Sequence, residues 1–259
     1  MPVRERPWPP GAPCWVDALV ADPAAARDFY ARLFGWEVYD GGDDGAGYLT
    51  AYKNDKAVAG IGPRPADLGR SRWTTHLATD DVDALAERVV AAGGALTMAP
   101  RDIGDAGRIL VGVDPTGATF GAWQAGRLLG TAVYAEHGAP RWHELRTRDL
   151  ARAMEFYAAA FGQRHVEGGD GIVQRFATAT VPGAEGPVCG LTDVTLAGGD
   201  RASAWLTWFQ VDDLDAAVTL AVDLGAQVLS SPASSDVGTM LVVEAPQGEV
   251  LGLVAALGG

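Results

Sequence analysis

The chain has 259 residues, with 33 acidic against 20 basic side chains and a formal net charge of −13. Such an excess of carboxylates repels phosphate backbones and anionic lipid surfaces, so neither nucleic acid nor a membrane is an expected partner. Hydrophobic residues make up 48% of the chain, enough for a core in each of two medium domains. No apolar run approaches the ~20 residues that span a bilayer. The first residues, Met1-Pro2-Val3-Arg4-Glu5-Arg6-Pro7-Trp8-Pro9-Pro10, lack the apolar centre of a secretory signal. A cytoplasmic protein is expected, with Cys14 and Cys189 as free thiols.

Residues 1–13 hold five prolines and no periodicity and read as an extended arm. Trp15 to Val20 then has the pattern of a strand. Asp22 is placed to cap a helix, Pro23 fits its first turn, and Gly35 follows Phe34 as a left-handed stop. Within that helix Ala26, Phe29 and Leu33 share one apolar face. A glycine and aspartate turn leads to two runs, Tyr48 to Lys53 and Ala57 to Ile61, joined as a hairpin by Asn54-Asp55. The grammar recurs from Trp73 to Thr79: Asp81 caps a helix over Val82 to Ala92, and Ala95 to Met98, Arg108 to Val113 and Ala118 to Trp123 follow as strands. The last two are joined by the turn Asp114-Pro115-Thr116-Gly117.

The second half repeats the first. Asp149, Phe156-Tyr157 and Phe161-Gly162 echo Asp22, Phe29-Tyr30 and Phe34-Gly35, with Phe156 lying 127 residues after Phe29. Trp142 to Thr147 is the strand, Leu150 to Phe161 the helix, and Ile172 to Thr180 with Val188 to Val194 the hairpin. Ala204 to Val211 is the next strand, Asp213 caps a helix that ends at Gly225, and Ala245-Pro246-Gln247-Gly248 stands where the Asp114 turn stood. Four βαβββ modules are therefore expected in two α+β domains, 14–124 and 139–259, joined by a linker at 125–138.

The helix with Phe-Tyr and Phe-Gly, the helix starts Thr79-Asp80-Asp81-Val82-Asp83 and Val211-Asp212-Asp213-Leu214-Asp215, and the Asp-Pro-x-Gly hairpin together resemble the vicinal oxygen chelate superfamily. Its members include glyoxalases, bleomycin-resistance proteins and extradiol dioxygenases. Asp102-Ile103-Gly104-Asp105-Ala106-Gly107-Arg108 and Trp142-His143-Glu144-Leu145 are similar to actinobacterial tandem glyoxalase-like proteins, variously called antigens or hydroxylases. The resemblance implies that each pair of modules forms a partly open, eight-stranded, barrel-like sheet around a ligand cavity. One such fold hosts many reactions, so the site must decide the function.

Family members that bind a divalent metal place His, Gln or Glu at fixed points on the cavity face. By that resemblance the corresponding positions here are Trp15, Thr74 and Gly121 in the first domain, and Trp142, Leu206 and Gly252 in the second. None is a competent ligand, so neither a metal nor another cofactor is expected. Strand alternation then puts Asp17 with Trp15, His76 with Thr74 and Trp123 with Gly121 on the first cavity face. Glu144 with Trp142, Trp208 with Leu206 and Val254 with Gly252 share the second. His143 falls on the opposite face. The candidate catalytic residues are Asp17, His76 and Glu144, and the candidate substrate contacts are Trp15, Thr74, Trp123, Trp142, Leu206 and Trp208.

Two tryptophans and a carboxylate on one sheet face suit a small planar, hydrophobic, aromatic or polyketide-like ligand. One reading is a metal-independent tailoring enzyme of natural-product biosynthesis, in which a desolvated carboxyl does acid–base work such as isomerisation, ring closure, hydrolysis or dehydration. The other is a resistance protein that sequesters the ligand without chemistry. A metal-dependent glyoxalase or dioxygenase fits the ligand positions less well. The first cavity is favoured for proton transfer because His76 accompanies Asp17 there. A monomer with an internal pseudo-dimer, or a weak homodimer, is the expected assembly.

Overall fold

The computed structural model describes residues 4–40, 47–66, 69–169, 175–195, 202–235 and 238–256. Its first half runs β1 (Pro13–Val20), α1 (Pro23–Phe34), β2 (Glu37–Asp40), β3 (Leu49–Lys53), β4 (Lys56–Pro63), β5 (Arg72–Ala78), α2 (Val82–Ala91), β6 (Ala95–Ile103), β7 (Gly107–Val113) and β8 (Thr119–Ala125). The second half runs β9 (Pro140–Thr147), α3 (Leu150–Phe161), β10 (Arg164–Gly169), β11 (Arg175–Thr180), β12 (Cys189–Asp193), β13 (Ala204–Val211), α4 (Leu214–Asp223), β14 (Gln227–Val228), β15 (Ala233–Ser235), β16 (Gly238–Glu244) and β17 (Val250–Ala255). The expected strand Ile172–Thr180 is seen from Arg175, because residues 172–174 lie outside the described ones.

Local chemistry accounts for these boundaries. Asp22 Oδ1 accepts hydrogen bonds from the backbone N–H groups of Ala24 and Ala25, and Asp149 Oδ1 accepts from Arg152 N. Gly35 at φ 66° and Gly162 at φ 69° end α1 and α3 in the left-handed region. Asn54 and Asp55, both at positive φ, form the tight connection between β3 and β4.

The first sheet has the order β2-β3-β4-β1-β5-β8-β7-β6. Its centre is an antiparallel β1/β5 pair, each partner flanked by a parallel neighbour, β4 and β8 respectively. The second sheet repeats this as β10-β11-β12-β9-β13-β17-β16-β14 and gains a ninth strand because β15 also pairs with β16. Among the described residues neither sheet closes into a barrel.

The two sheets stand back to back, and the helices fill the space between them. One core joins α1, β1 and β4 of the first half to α4, β16 and β17 of the second, with Phe209 against Phe34, Trp36 and Trp73. The other joins α2 and β8 to α3, with Phe120 against Phe156 and Phe161. Thr75 Oγ1 lies 3.4 Å from Thr207 Oγ1, so equivalent positions of β5 and β13 meet where the pseudo-twofold axis passes.

The Phe-Tyr motif makes a reciprocal tie across this interface. The Tyr30 hydroxyl donates to Glu249 Oε1 of the other half at 2.9 Å and accepts from Trp73 Nε1 at 3.1 Å. Tyr157 donates to Asp114 Oδ2 at 3.0 Å and accepts from Trp205 Nε1 at 2.8 Å. A further amide exchange links Asp22 N and O to the Gln247 side chain.

Candidate functional site

Each sheet turns its other face away from the partner, and the central strands supply that face. On the first, β1 carries Trp15 and Asp17, and β5, in antiparallel register, sets Thr74 opposite Asp17 and His76 opposite Trp15. Asp17 is 7% exposed and His76 2%. The carboxylate gathers its donors tightly: Oδ1 accepts from Trp15 Nε1 at 2.7 Å and from the Tyr48 hydroxyl at 2.5 Å, and His76 Nε2 lies 2.7 Å from Oδ2. That His76 contact is short but out of line for a hydrogen bond, and Nδ1 has no hydrogen-bond partner among the described residues. Burial alone pushes the Asp17 carboxyl up. The charge of His76 at 2.7 Å, with the Tyr48 and Trp15 donors, outweighs it and holds the carboxyl below its ordinary value.

Glycines make room for this cluster. A Cβ on Gly121 of β8 would fall 2.0 Å from His76 Nδ1, so the imidazole lies directly on that backbone. A Cβ on Gly60 of β4 would fall 1.8 Å from the Tyr48 hydroxyl and 2.3 Å from Asp17 Oδ1. The Tyr48 ring also lies over Gly62. Thr74 Oγ1, on the same face and buried, has no partner among the described residues. Trp123 packs with Trp15 and Cys14 and donates from Nε1 to Leu128 O at 2.8 Å, lining a cleft of about 140 Å³ beneath Trp8 of the N-terminal arm.

The second face has the same plan and a different chemistry. Glu144 occupies the place of Asp17, Trp208 that of His76, and Thr192 that of Gly62. Glu144 Oε1 accepts from Thr192 Oγ1 at 2.6 Å, while Oε2 accepts from Trp208 Nε1 at 3.1 Å and Arg146 Nε at 3.2 Å. The Arg146 guanidinium lies 5.6 Å from the Trp208 ring centroid. This carboxylate is therefore saturated by a hydroxyl, an indole and a cation. Trp142 stands over Gly190, and Leu206, Trp208 and Val254 form an apolar cluster beside it.

Strand parity thus brings Trp15, Asp17, Thr74 and His76 together on one face, with Trp123 at its edge. Trp142, Glu144, Leu206 and Trp208 come together on the other. His143 points between the sheets, where its Nδ1 lies 3.3 Å from Thr207 Oγ1 and burial pushes its pKa down to about 3. Sequence reasoning missed Tyr48, Arg146 and Thr192. For Arg146 a signal existed, since it shares the parity of Trp142 and Glu144. Thr192 depends on the β9/β12 register, and Tyr48 precedes the β3 ladder, where alternation gives no direction.

At the positions where the fold would offer metal ligands, the side chains are Trp15, Thr74, Gly121, Trp142, Leu206 and Gly252. Among the described residues no three His, Cys, Asp or Glu side chains come within reach of one ion. Asp17 and His76 form the largest such group on the first face and are engaged with each other, so these residues do not fit a resident divalent metal.

A family model described as the glyoxalase/bleomycin resistance protein/dioxygenase superfamily matches residues 14–121, and one for a glyoxalase-like domain matches residues 142–254. The chain is 37% identical over 98% of its length, and 98% of the relative's, to CFP32 of Mycobacterium tuberculosis, which carries a glyoxylase name. It is 35% identical to the anthracycline biosynthesis protein DnrV of Streptomyces peucetius, over 92% of this chain and 91% of that one. Among solved structures, a Mn(II)-bound glyoxalase from Novosphingobium aromaticivorans superposes with a TM-score of 0.65 at 19% identity, covering 96% of this chain and 83% of that one. A catechol 2,3-dioxygenase superposes at 0.63 and 15%, covering 96% and 94%. The duplicated modules, the sheet order and the full-length relatives all agree, and the chain belongs to the glyoxalase/bleomycin resistance protein/dioxygenase superfamily as a tandem two-domain member.

Proposed function

We propose that the protein binds a small planar, largely apolar metabolite on the first sheet face and moves a proton there through Asp17 and His76, without a resident metal. One observation carries the reading: the buried Asp17 carboxylate faces an imidazole at 2.7 Å, whereas its counterpart Glu144 is neutralised by Arg146. A carboxylate in contact with an imidazole can orient that ring and pass a proton to or from it, whereas a carboxylate held by an arginine is fixed as a counter-ion. Trp15 and Trp123 supply stacking area, and the buried Thr74 Oγ1 is a polar group without a partner among the described residues that a ligand would satisfy. The names of DnrV and DauV place two relatives in anthracycline biosynthesis, whose ring systems are flat and aromatic. Isomerisation, ring closure, hydrolysis or dehydration is the corresponding reaction class. In this reading the chain works as a monomer whose halves form an internal pseudo-dimer.

The saturated Glu144 favours binding without chemistry at the second face, where the apolar cluster around Trp208 remains. Anthrone in deuterated buffer separates the two behaviours, since uptake of deuterium at its acidic carbon reports proton transfer without any knowledge of the natural substrate. Protein-catalysed exchange is expected, falling about 100-fold or more in Asp17→Asn and in His76→Asn while anthrone affinity stays within about threefold. Binding with no catalysed exchange would establish sequestration in place of acid–base chemistry. Exchange unchanged by both substitutions would remove Asp17 and His76 from the reaction.

A further inference from the structure

The Tyr48 side chain occupies the first face in the manner of a ligand. Its hydroxyl donates to Asp17 Oδ1 at 2.5 Å and accepts from Trp15 Nε1 at 3.1 Å, so one oxygen satisfies a carboxylate and an indole together. Its ring lies on a bed that exists only because two positions lack a Cβ. A methyl group at Gly60 would overlap the phenol oxygen, and one at Gly62 would come 3.1 Å from the ring. Leu19 flanks the same bed, in register with Gly62.

Tyr48 itself belongs to no strand. It follows Gly47, at φ 83°, and precedes β3 at Leu49, so the sheet register does not hold it. The second half shows what the same plan looks like with its bed filled: Thr192 replaces the glycine and its own hydroxyl reaches Glu144. In the second half the ring over the remaining glycine, Gly190, is the strand residue Trp142, whereas in the first half the ring over Gly60 and Gly62 comes from outside the ladder. A second buried polar group on that face, Thr74 Oγ1, has no partner among the described residues.

We propose that Tyr48 is an internal stand-in for the ligand, and that the first face takes a hydroxyaryl compound whose ring displaces Tyr48 and whose hydroxyl inherits its two hydrogen bonds. This rests on the reading of that face as the ligand site and narrows the ligand from any planar apolar metabolite to one bearing a phenolic hydroxyl. The donor–acceptor pair is complementary to that group: Asp17 accepts its proton and Trp15 donates to its lone pair. An aryl ether matches the ring bed and the indole but cannot serve the carboxylate. Specificity should therefore follow the hydroxyl more than the ring, because the ether takes one donor away from a buried carboxylate and sets a methyl group against it.

The probes are 2-naphthol and 2-methoxynaphthalene, titrated calorimetrically into the wild-type protein, Tyr48→Phe and Tyr48→Ala. Removing the competing side chain in Tyr48→Ala should tighten 2-naphthol at least tenfold over wild type, with at least tenfold preference over the methyl ether. Tyr48→Phe keeps the ring and drops only its hydroxyl, which guards against a folding defect in the alanine variant. It should give a smaller gain, threefold or more, with the same preference. Equal affinity of all three proteins for 2-naphthol would overturn the proposal, as would equal affinity of Tyr48→Ala for both probes. The outcome is separable from the proton-transfer reading. Selective 2-naphthol binding with no anthrone exchange leaves the ligand class standing and removes the acid–base role. Exchange that depends on Asp17 and His76, with no preference for the hydroxyl, does the reverse.

Discussion

Replacing Tyr30 by Phe tests the tie between the halves, because one hydroxyl there serves two buried partners. It donates to Glu249 Oε1 and accepts from Trp73 Nε1. Glu249 is 1% exposed, and its other oxygen has no hydrogen-bond partner among the described residues. A hydrogen bond to a charged group contributes about 1.5–3 kcal/mol, and an orphaned buried donor costs about 1–3 kcal/mol, so a loss of about 3 kcal/mol is expected for Tyr30→Phe. For a chain of this size that is a fall of about 6–12 °C in Tm, at about 2–4 °C per kcal/mol. Tyr157→Phe makes the same change on the other side of the axis. There Asp114 Oδ1 keeps donors from Thr116 N, Thr116 Oγ1 and Ala118 N, so the expected loss is smaller, about 1–2 kcal/mol. Burial pushes the Glu249 carboxyl above its ordinary 4.5, with the Tyr30 bond pulling the other way. The Tyr30 bond therefore matters most when Glu249 is charged, and the Tyr30→Phe deficit should grow as pH rises from 4.5 towards neutrality. Thermal unfolding of both variants at several pH values measures this. Equal losses from the two tyrosines, or a Tyr30→Phe deficit within about 0.5 kcal/mol, would refute the reasoning.

Three other outcomes follow from the site, and a fourth, at Gly186, serves as a control away from it. The folded state holds Asp17 below its ordinary 3.8, so the charged carboxylate contributes stability that is present above that value and lost as pH falls through the lowered one. The stability gap between wild type and Asp17→Asn should shrink below pH 3.8, and a gap that widens there would reverse the assignment. Gly121→Ala forces a Cβ into the His76 ring and should cost about 1–3 kcal/mol together with the anthrone exchange. Gly186→Ala, with open space around it, should stay within about 0.5 kcal/mol. Elemental analysis of the purified protein should find no stoichiometric Zn, Ni, Mn or Fe, and chelator should leave Tm unchanged; one tightly held ion per chain would contradict the donor count on both faces.

Much of this architecture is legible in the residues. Asp22, Asp149, Gly35 and Gly162 do locally what their chemistry predicts, and the recurrence of Phe-Tyr and Phe-Gly identifies the duplication. Parity on β1 and β5 suffices to put Trp15, Asp17, Thr74 and His76 on one face, since a strand period of two leaves a side chain little choice. What stayed hidden is long-range. The Arg146–Glu144–Thr192 arrangement needs the β9/β12 register, Tyr48 sits outside a ladder, and the Glu249 partner of Tyr30 lies 219 residues away. The ninth strand, β15, has only three residues, too few for alternation to mark.

The passage of the pseudo-twofold axis between Thr75 and Thr207 bears on how such a chain can be divided. Each half presents to the other an apolar back that water would otherwise meet, including α1 with Phe29 and Leu33 on one side and α3 with Phe156 and Ala160 on the other. A gene fragment encoding either half alone would leave that back uncovered, and the surface best shaped to cover it is a second copy of itself, because the axis already brings equivalent positions together. Residues 4–125 expressed alone should therefore sediment as a twofold homodimer with Thr75 facing Thr75, and a soluble folded monomer would show that the fused partner is dispensable. The linker between the halves then acts as a licence for divergence. Once both copies are covalently joined, Asp17 can keep a histidine while Glu144 acquires an arginine, an asymmetry that a homodimer encoded by one sequence cannot hold.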